Sequence, residues 1–330
     1  MRHLVVMEYG QFLGCSDSCL HVREGGETVL ETPLSRLRTI SIARKGVSFS
    51  SNLVLECSNR GIRLFILDWR GINVAAISGR HQHGIVALRQ AQFSFAQSPA
   101  SRNMAASILY AKLRNQRAVL LYFSKYHELH KDPLLDSSDK IANSANSIRT
   151  IPWAMHNDTW LSELVGYEGA SARIYWQALK NSGLLASDFN GRVGRGATDV
   201  TNQLLNYGYT LLISYIWAAL DNAGLELYLG VLHQRRPGKP SLVLDFMEEY
   251  RAWVVDRNVI KLRRLISTSN KFDTKLKKGL SESIQKTMST KYPYKGKKLR
   301  LESIIQRQAY RLAGAMVEKG NIYKSYRFRW

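Results

Sequence analysis

The feature that most limits how this chain can fold is a change in hydrophobic period near Gly79. Ahead of it, apolar residues come in short runs: "HLVVMEY", "SCLHVREG", "ETVLE", "LRTISI", "GVSF", "IRLFILD" and "INVAAIS". Glycine and polar punctuation separates them, as in "REGGE", "ARKG", "NRG" and "WRG", which is how short β-strands joined by turns are written. One piece differs. In "SSNLVLECSNRG", Ser50 or Ser51 can cap a short helix that stops at Gly61, since a serine hydroxyl satisfies a free N–H in the first turn and glycine accepts the left-handed backbone after the last. Beyond Gly79 the spacing lengthens. Met104, Ile108, Leu109, Leu113, Val119 and Leu120 recur at helical period in "SRNMAASILYAKLRNQRAVLLYFSKY", and further helical stretches lie around 139–149, 160–181, 199–223, 241–266 and 300–319. The expected fold is therefore α+β in two domains. Residues 1–80 form a small β-rich domain, a sandwich or rolled sheet with one helix. Residues 81–98 form an exposed link, and residues 99–330 a larger all-α domain. A length of 330 residues suits two domains.

Charge narrows the function. Lys and Arg exceed Asp and Glu by 21, an excess that attracts polyanions, nucleic acid first among them. The bias is strongest over residues 261–300. Within it "KYPYKGKK" reads as a loop or flexible hairpin, where Lys295, Lys297 and Lys298 can meet phosphates and Tyr292 and Tyr294 can stack on bases. Three cysteines, Cys15, Cys19 and Cys57, make a poor disulfide framework, and the CxxxC pair has no second Cys or His pair near it. Free thiols in a reducing, cytoplasmic setting are expected. The start "MRHLVVMEYGQFL" does not read as a signal peptide, and the most apolar run, Tyr209 to Leu220, is too short to span a bilayer. No membrane partner is expected.

The chemistry-bearing stretch is "GVLHQRRPGKPSLVLDFMEEYR", residues 230–251. Ser241 is a plausible N-cap. A helix from there puts Asp245 and Glu248 on one face, with Arg251 a further step of three along. His233 precedes the turn "RRPGKP" and can fold back toward that helix. An imidazole with one or two carboxylates suits Mg²⁺ or Mn²⁺ better than zinc. Glu168, between Gly166 and Gly169 in "LSELVGYEGASARIYWQAL", is the best further ligand. An acid in an otherwise apolar helix is costly unless paired or metal-bound, although a carboxylate near a helix start is also favoured by the helix dipole. In "FNGRVGRGATDVTNQLLNYGYTLL", Asp199 or Thr198 begins a helix with Asn202 one turn on, and Arg192 and Arg195 in the glycine-rich lead-in can hold phosphates with flexible guanidinium groups. Arg251 and Lys239 can neutralise a phosphate beside the acids.

Four segments in order, "ELVGYEGASARIYWQAL", "RVGRGATDVTNQLLNYGYTLL", "GVLHQRRPGKPSLVLDFMEEYR" and "LESIIQRQAYRLAGAMVEKGNIYKSYRFRW", resemble the CRISPR-associated adaptation endonucleases, the integrase subunit that captures new spacers. The resemblance covers essentially the whole chain. It implies a metal site at Glu168, His233 and Glu248, with Asp245 supporting or joining it, and Mg²⁺ or Mn²⁺ as the ion. It implies homodimers through the β domains, and assembly with a small ferredoxin-like CRISPR-associated partner protein on double-stranded DNA. The implied reaction is attack of a 3′-hydroxyl on a phosphodiester at a repeat edge, with hydrolysis at the same site when water is the nucleophile. Two rivals remain: a non-catalytic basic DNA-binding scaffold, and a structure-specific DNA repair nuclease.

Overall fold

A computed structural model describes residues 3–68, 73–77, 79, 85–126, 128–233, 236–269, 271–318 and 320–328. The chain divides into two compact units, Met1–His83 and Gly84–Trp330. The first holds β1 (His3–Val6), β2 (Phe12–Ser16), β3 (Cys19–Glu24), β4 (Glu27–Pro33), β5 (Thr39–Ile42), β6 (Ser48–Phe49), α1 (Ser51–Asn59), β7 (Arg63–Leu67) and β8 (Asn73–Ile77). They form two four-stranded sheets, ordered β1-β5-β7-β8 and β4-β3-β2-β6. Leu4, Leu13, Leu20, Ile40, Leu53 and Leu64 share one core, so both sheets and α1 bury their apolar faces together. Ser50 caps α1, accepting from the Leu53 N–H at 3.2 Å, and Gly61 follows the helix at φ +67°. The strand β2 is not apparent in the sequence, because Gly14 and Cys15 interrupt "FLGCS". Its turn to β3 uses Asp17 and Ser18, both at positive φ (49° and 63°), the primed geometry that Asn-Gly usually announces. All three cysteines are free, and burial pushes the Cys57 thiol up to about 12.

The second unit is helical. Its first element, α2 (Ile85–Gln97), corrects the expected link over 81–98. "IVALRQAQFSFAQ" is rich in good helix formers, and buried Gln92 fastens it within the unit. The Gln92 amide donates to the Glu226 and Leu229 carbonyls at 2.9 and 3.1 Å and accepts from the Glu226 N–H at 2.8 Å. Residues 81–84 lie outside the described ones. Then come α3 (Ala100–Ser124), α4 (Lys131–Thr150), α5 (Trp160–Asn181) and α6 (Val200–Asn222). Helix α6 is buried almost all round, as a central helix must be, and Asp199 caps it by accepting from the Asn202 N–H at 2.8 Å.

The stretch expected as one helix over 241–266 is broken into α7 (Ser241–Met247), a π-helical turn (Ala252–Asp256), α8 (Arg257–Lys261) and α9 (Arg263–Ser269). Ser241 is not the cap. Pro240 holds that position without a side-chain bond, and the Ser241 hydroxyl donates to the Lys239 carbonyl at 3.4 Å. After α10 (Thr274–Ser289), a hairpin of β9 (Lys291–Tyr294) and β10 (Lys297–Arg300) leads into α11 (Leu301–Val317). The basic block is thus an amphipathic helix, buried through Leu276, Leu280, Ile284 and Met288, plus an ordered hairpin closed by Lys295 and Gly296 at positive φ. Lys295, Lys297 and Lys298 are exposed. Tyr292 is not available to stack on bases: it is 8% exposed and packs edge-on against Trp253 and Phe328. Tyr294 donates its hydroxyl to Gln308 at 3.1 Å. Among the described residues no helix is long and apolar enough to cross a membrane.

Candidate functional site

The site is built from a buried carboxylate outward. Asp245, on α7, has no exposed surface. Its Oδ2 accepts from the backbone N–H groups of Val231 and Leu232 at 2.6 and 2.9 Å, and its Oδ1 from the His233 N–H at 2.8 Å. The loop 230–233 is therefore wrapped on one side chain. Gly230 is required there, since a Cβ would stand 2.5 Å from Asp245 Oδ2 and 2.8 Å from the Ser241 backbone. Asp245 Oδ1 also lies 2.6 Å from His233 Nδ1. A carboxylate that already accepts three N–H bonds accepts this one too, which places the imidazole proton on Nδ1. The lone pair is left on Nε2, the arrangement that second partners of metal-binding histidines impose. Asp245 thus supports His233 and is itself fully engaged.

Glu168, on α5, and His233 line one open cleft of about 640 Å³, with Asp158, Arg236 and Lys239 on its walls. Gly166 and Gly169 are exposed, and nothing lies within 4 Å of a Cβ built at either. No protein backbone approaches them, and they leave the surface beside Glu168 open. Glu248 follows α7 and is 1% exposed. The two glutamates meet through a residue that the sequence did not single out. Lys112, on α3, donates to Glu168 Oε1 and lies 2.8 Å from Glu248 Oε2. Its signal was present: Lys112 sits on the buried stripe of α3, one turn after Ile108 and one before Asn115, where a cation is costly without acid partners.

Arg251 Nη1 donates to Glu248 Oε1 at 2.5 Å, and its guanidinium lies 4.2 Å from the Tyr209 ring centre. Burial alone would raise the Glu248 carboxyl, but Arg251 and Lys112 reverse this and hold it at about 2. Burial would likewise lower Lys112, and Glu248 and Glu168 outweigh it, so its ammonium is raised. Arg251 is therefore Glu248's partner before it is anything to DNA.

The glycine-rich segment at 191–196 is fastened. Asn202 donates to the Gly191 carbonyl at 2.7 Å and to Asp199 Oδ2 at 2.8 Å, and its Oδ1 accepts from the Val193 N–H at 3.0 Å. Arg192, expected to be flexible, is pinned: it donates to Asn202 and Asn206 at 3.0 and 2.6 Å and lies over Tyr209 at 5.1 Å. Arg195 is exposed. Behind Arg192 and Arg251, buried Asp256 accepts from the hydroxyls of Tyr209 and Tyr175 at 2.5 and 3.1 Å, and burial raises its carboxyl.

The donor set suits a hard divalent ion: two carboxylates and one imidazole with a free Nε2. Glu248 Oε2 is buried and makes no hydrogen bond of good geometry despite the nearby ammonium, so it keeps a lone pair to offer. In the present arrangement no three His, Cys, Asp or Glu side chains among the described residues converge within joint ligating reach. The cation between the two glutamates is Lys112.

A family model described as "CRISPR associated protein Cas1" matches residues 4–293. The chain is 46% identical over 330 residues, the full length of both, to a CRISPR-associated endonuclease Cas1 of Francisella tularensis subsp. novicida. It is 34% identical over 262 residues to one of Pyrobaculum aerophilum, covering 79% of this chain and 82% of the relative. Among solved structures, a casposase bound to an integration product superposes with a TM-score of 0.78 at 21% identity, covering 100% of this chain and 95% of that one. A Cas1 protein from Thermotoga maritima gives 0.75 at 15% identity over 98% and 100% of the two chains. A chain of a Cas6-RT-Cas1–Cas2 complex gives 0.76 at 20% identity, over 98% of this chain and 36% of its own. At these identities the structures speak for the shared fold.

Proposed function

Since this chain belongs to the CRISPR-associated Cas1 family, we propose that it is the metal-dependent DNA endonuclease and integrase of CRISPR adaptation. On this reading it joins the 3′-hydroxyl of an incoming fragment to a phosphodiester at a repeat edge. One observation carries the reading: Glu168 and Glu248 reach across from separate elements to a single cation, beside an imidazole whose free nitrogen is set by Asp245. Glu168, Glu248 and His233 would hold Mg²⁺ or Mn²⁺, which when bound supplies Lewis-acid polarisation of a phosphoryl oxygen.

The chain's own residues do the rest. Arg251 keeps Glu248 ionised at neutral pH, so no proton must leave before it can act as a ligand. Asp245 fixes the His233 tautomer. Arg236 and Lys239 on the cleft wall attract the phosphate backbone, and exposed Arg195, Lys295, Lys297 and Lys298 extend the field for duplex DNA. No covalent protein nucleophile is needed. The partners proposed are double-stranded DNA, a second copy of the chain joined through the β-rich unit, and a small ferredoxin-like protein, all in the cytoplasm. Structural neighbours captured with an integration product and in assemblies with Cas2 support this choice.

The pairing of both glutamates with protein cations, Lys112 between them and Arg251 on Glu248, gives the scaffold reading its one specific argument, and the test separates the two. Glu168→Ala, His233→Ala and Glu248→Ala are assayed for strand transfer into a repeat-bearing plasmid with the partner protein, and for DNA binding. Loss of joining with binding retained is expected. Intact joining in all three variants would leave a scaffold. Cleavage of branched DNA without joining, by the unaltered protein, would point to a repair nuclease.

A further inference from the structure

The ammonium between the two glutamates has a second place to go. Lys112 and Gln116 are one turn apart on α3, on the same face, and both line a small cavity of about 50 Å³ that Asp256, Arg192, Arg251 and Trp176 close. Gln116 is 5% exposed. Its Oε1 is buried and has no hydrogen-bond partner among the described residues, an uncommon condition for a native side chain. Asp256 presents a carboxylate to the same space, where among the described residues it accepts from the Tyr209 and Tyr175 hydroxyls and feels the charge of Arg251 and Arg192. Two acceptors, one of them orphaned, thus face a cavity within reach of a lysine whose present partners are the proposed metal ligands.

Charge makes the second position necessary if the metal reading holds. Lys112 now balances one of two buried or half-buried carboxylates, and Arg251 already neutralises Glu248 from its other side. A divalent ion brought to Glu168 and Glu248 would face an ammonium within bonding distance of the same oxygens. Two cations that close, largely out of water, repel strongly, so the ammonium must leave when the ion enters.

We infer that Lys112 is a built-in counter-cation that holds Glu168 and Glu248 together in the metal-free protein, and that divalent-ion binding moves its ammonium along α3 to Gln116 and Asp256. The inference rests on the metal reading above and adds a competitor to it. The lysine keeps two acids from repelling each other, keeps the carboxylates in place for the ion, and lowers the apparent affinity by the free energy of moving it. Gln116 is a positioning residue that acts through Lys112 and touches neither ion nor substrate.

The test uses the full chain without DNA, so that activity plays no part. Mn²⁺ binding is measured by titration calorimetry and by loss of the free-ion electron spin resonance signal, and melting is followed with and without Mn²⁺. Lys112→Met, which keeps the length and removes the charge, is expected to bind Mn²⁺ about tenfold more tightly or better. It should melt lower than the unaltered protein without metal and gain more on adding it. Gln116→Leu is expected to bind Mn²⁺ several-fold more weakly with little change in the metal-free melting temperature. Equal affinity in the unaltered protein and a folded Lys112→Met overturns the counter-cation while leaving the metal site standing. If Lys112→Met does not fold, unweakened binding by Gln116→Leu overturns it instead. Mn²⁺ binding by none of the three folded proteins overturns the metal reading, and the inference with it.

Discussion

Asp245→Asn is the sharpest single perturbation of this site, because the substitution changes almost no volume and its cost can be counted. Four donors converge on the carboxylate, two on each oxygen: Val231 and Leu232 N–H on Oδ2, and the N–H and Nδ1 of His233 on Oδ1. An asparagine has one oxygen. Whichever way its amide lies, two of the four donors face an NH₂ group, and Asp245 is fully buried, so water cannot replace the lost acceptor. Each buried donor left unsatisfied costs about 1–3 kcal/mol, which gives roughly 2–6 kcal/mol for the pair. In a domain of this size each kcal/mol moves the melting temperature by about 2–4 °C, so a fall on the order of 10 °C is expected. If the amide turns its NH₂ toward His233, the ring is no longer held in the Nδ1–H tautomer. Such loss of an outer partner lowers metal affinity by about 10–100-fold. Calorimetric melting measures the first effect, and Mn²⁺ titration well below the transition measures the second. An Asp245→Asn protein that melts with the unaltered chain and binds Mn²⁺ equally would refute the role given to this carboxylate.

Two further outcomes are expected from the packing around the site. Glu249 is pushed up to about 7 by burial, against the bonds it accepts from Tyr323 and Tyr326. The native state therefore holds a proton that the unfolded chain releases near 4.5, so stability should fall as pH rises between those values, by on the order of 3 kcal/mol, and level off above. Glu248 acts with the opposite sign, but below pH 4.5, where its stabilisation fades as pH falls toward 2; Asp256, raised by burial, has the sign of Glu249. Glu249→Gln should flatten the pH 5–7.5 slope in melts, and an undiminished slope would place its origin elsewhere. Gly208→Ala should destabilise despite alanine's better helix propensity, worth about 1 kcal/mol, because its Cβ would lie 2.6 Å from Val255 Cγ1 and 3.0 Å from Leu280 Cδ2, and overpacking costs about 1–3 kcal/mol. A variant melting above the unaltered protein in the same assay would show that these neighbours yield freely.

What the sequence revealed depended on whether a signal was local. The Ser50 and Asp199 caps were legible to within one residue, each as one of two neighbours, because a cap is a hydroxyl or carboxylate within three residues of the N–H it serves. The approach of His233 to Asp245 was legible for the same reason, since a short loop joins them. For Lys112 only half the signal was local: its place on the apolar stripe of α3 marks a buried cation, but its partners Glu168 and Glu248 are far off in sequence, 56 positions away for the first. Tyr292 misleads for the converse reason. An aromatic among lysines suggests a nucleic-acid surface, yet its partners, Trp253 and Phe328, come from distant segments. Ser241 fails as a cap since its hydroxyl turns back to the Lys239 carbonyl, while the distant Leu227 carbonyl takes the Leu242 N–H. The α2 helix is hidden because the polar run ahead of it masks its helix-forming residues.

The π-helical turn at Ala252–Asp256 fixes something no side chain does: which face of α8 meets α10. A π turn carries one residue more than an α turn, and each residue turns a helix by about 100°. The same five residues tightened into regular α geometry would turn further, and α8 would rotate by most of that angle. Asn258 and Arg257, which now reach Thr287 at 2.9 and 3.2 Å, would swing off α10, and Asp256 would leave its two tyrosines. The π turn thus takes up one residue in place, so that everything beyond it keeps its face toward α10.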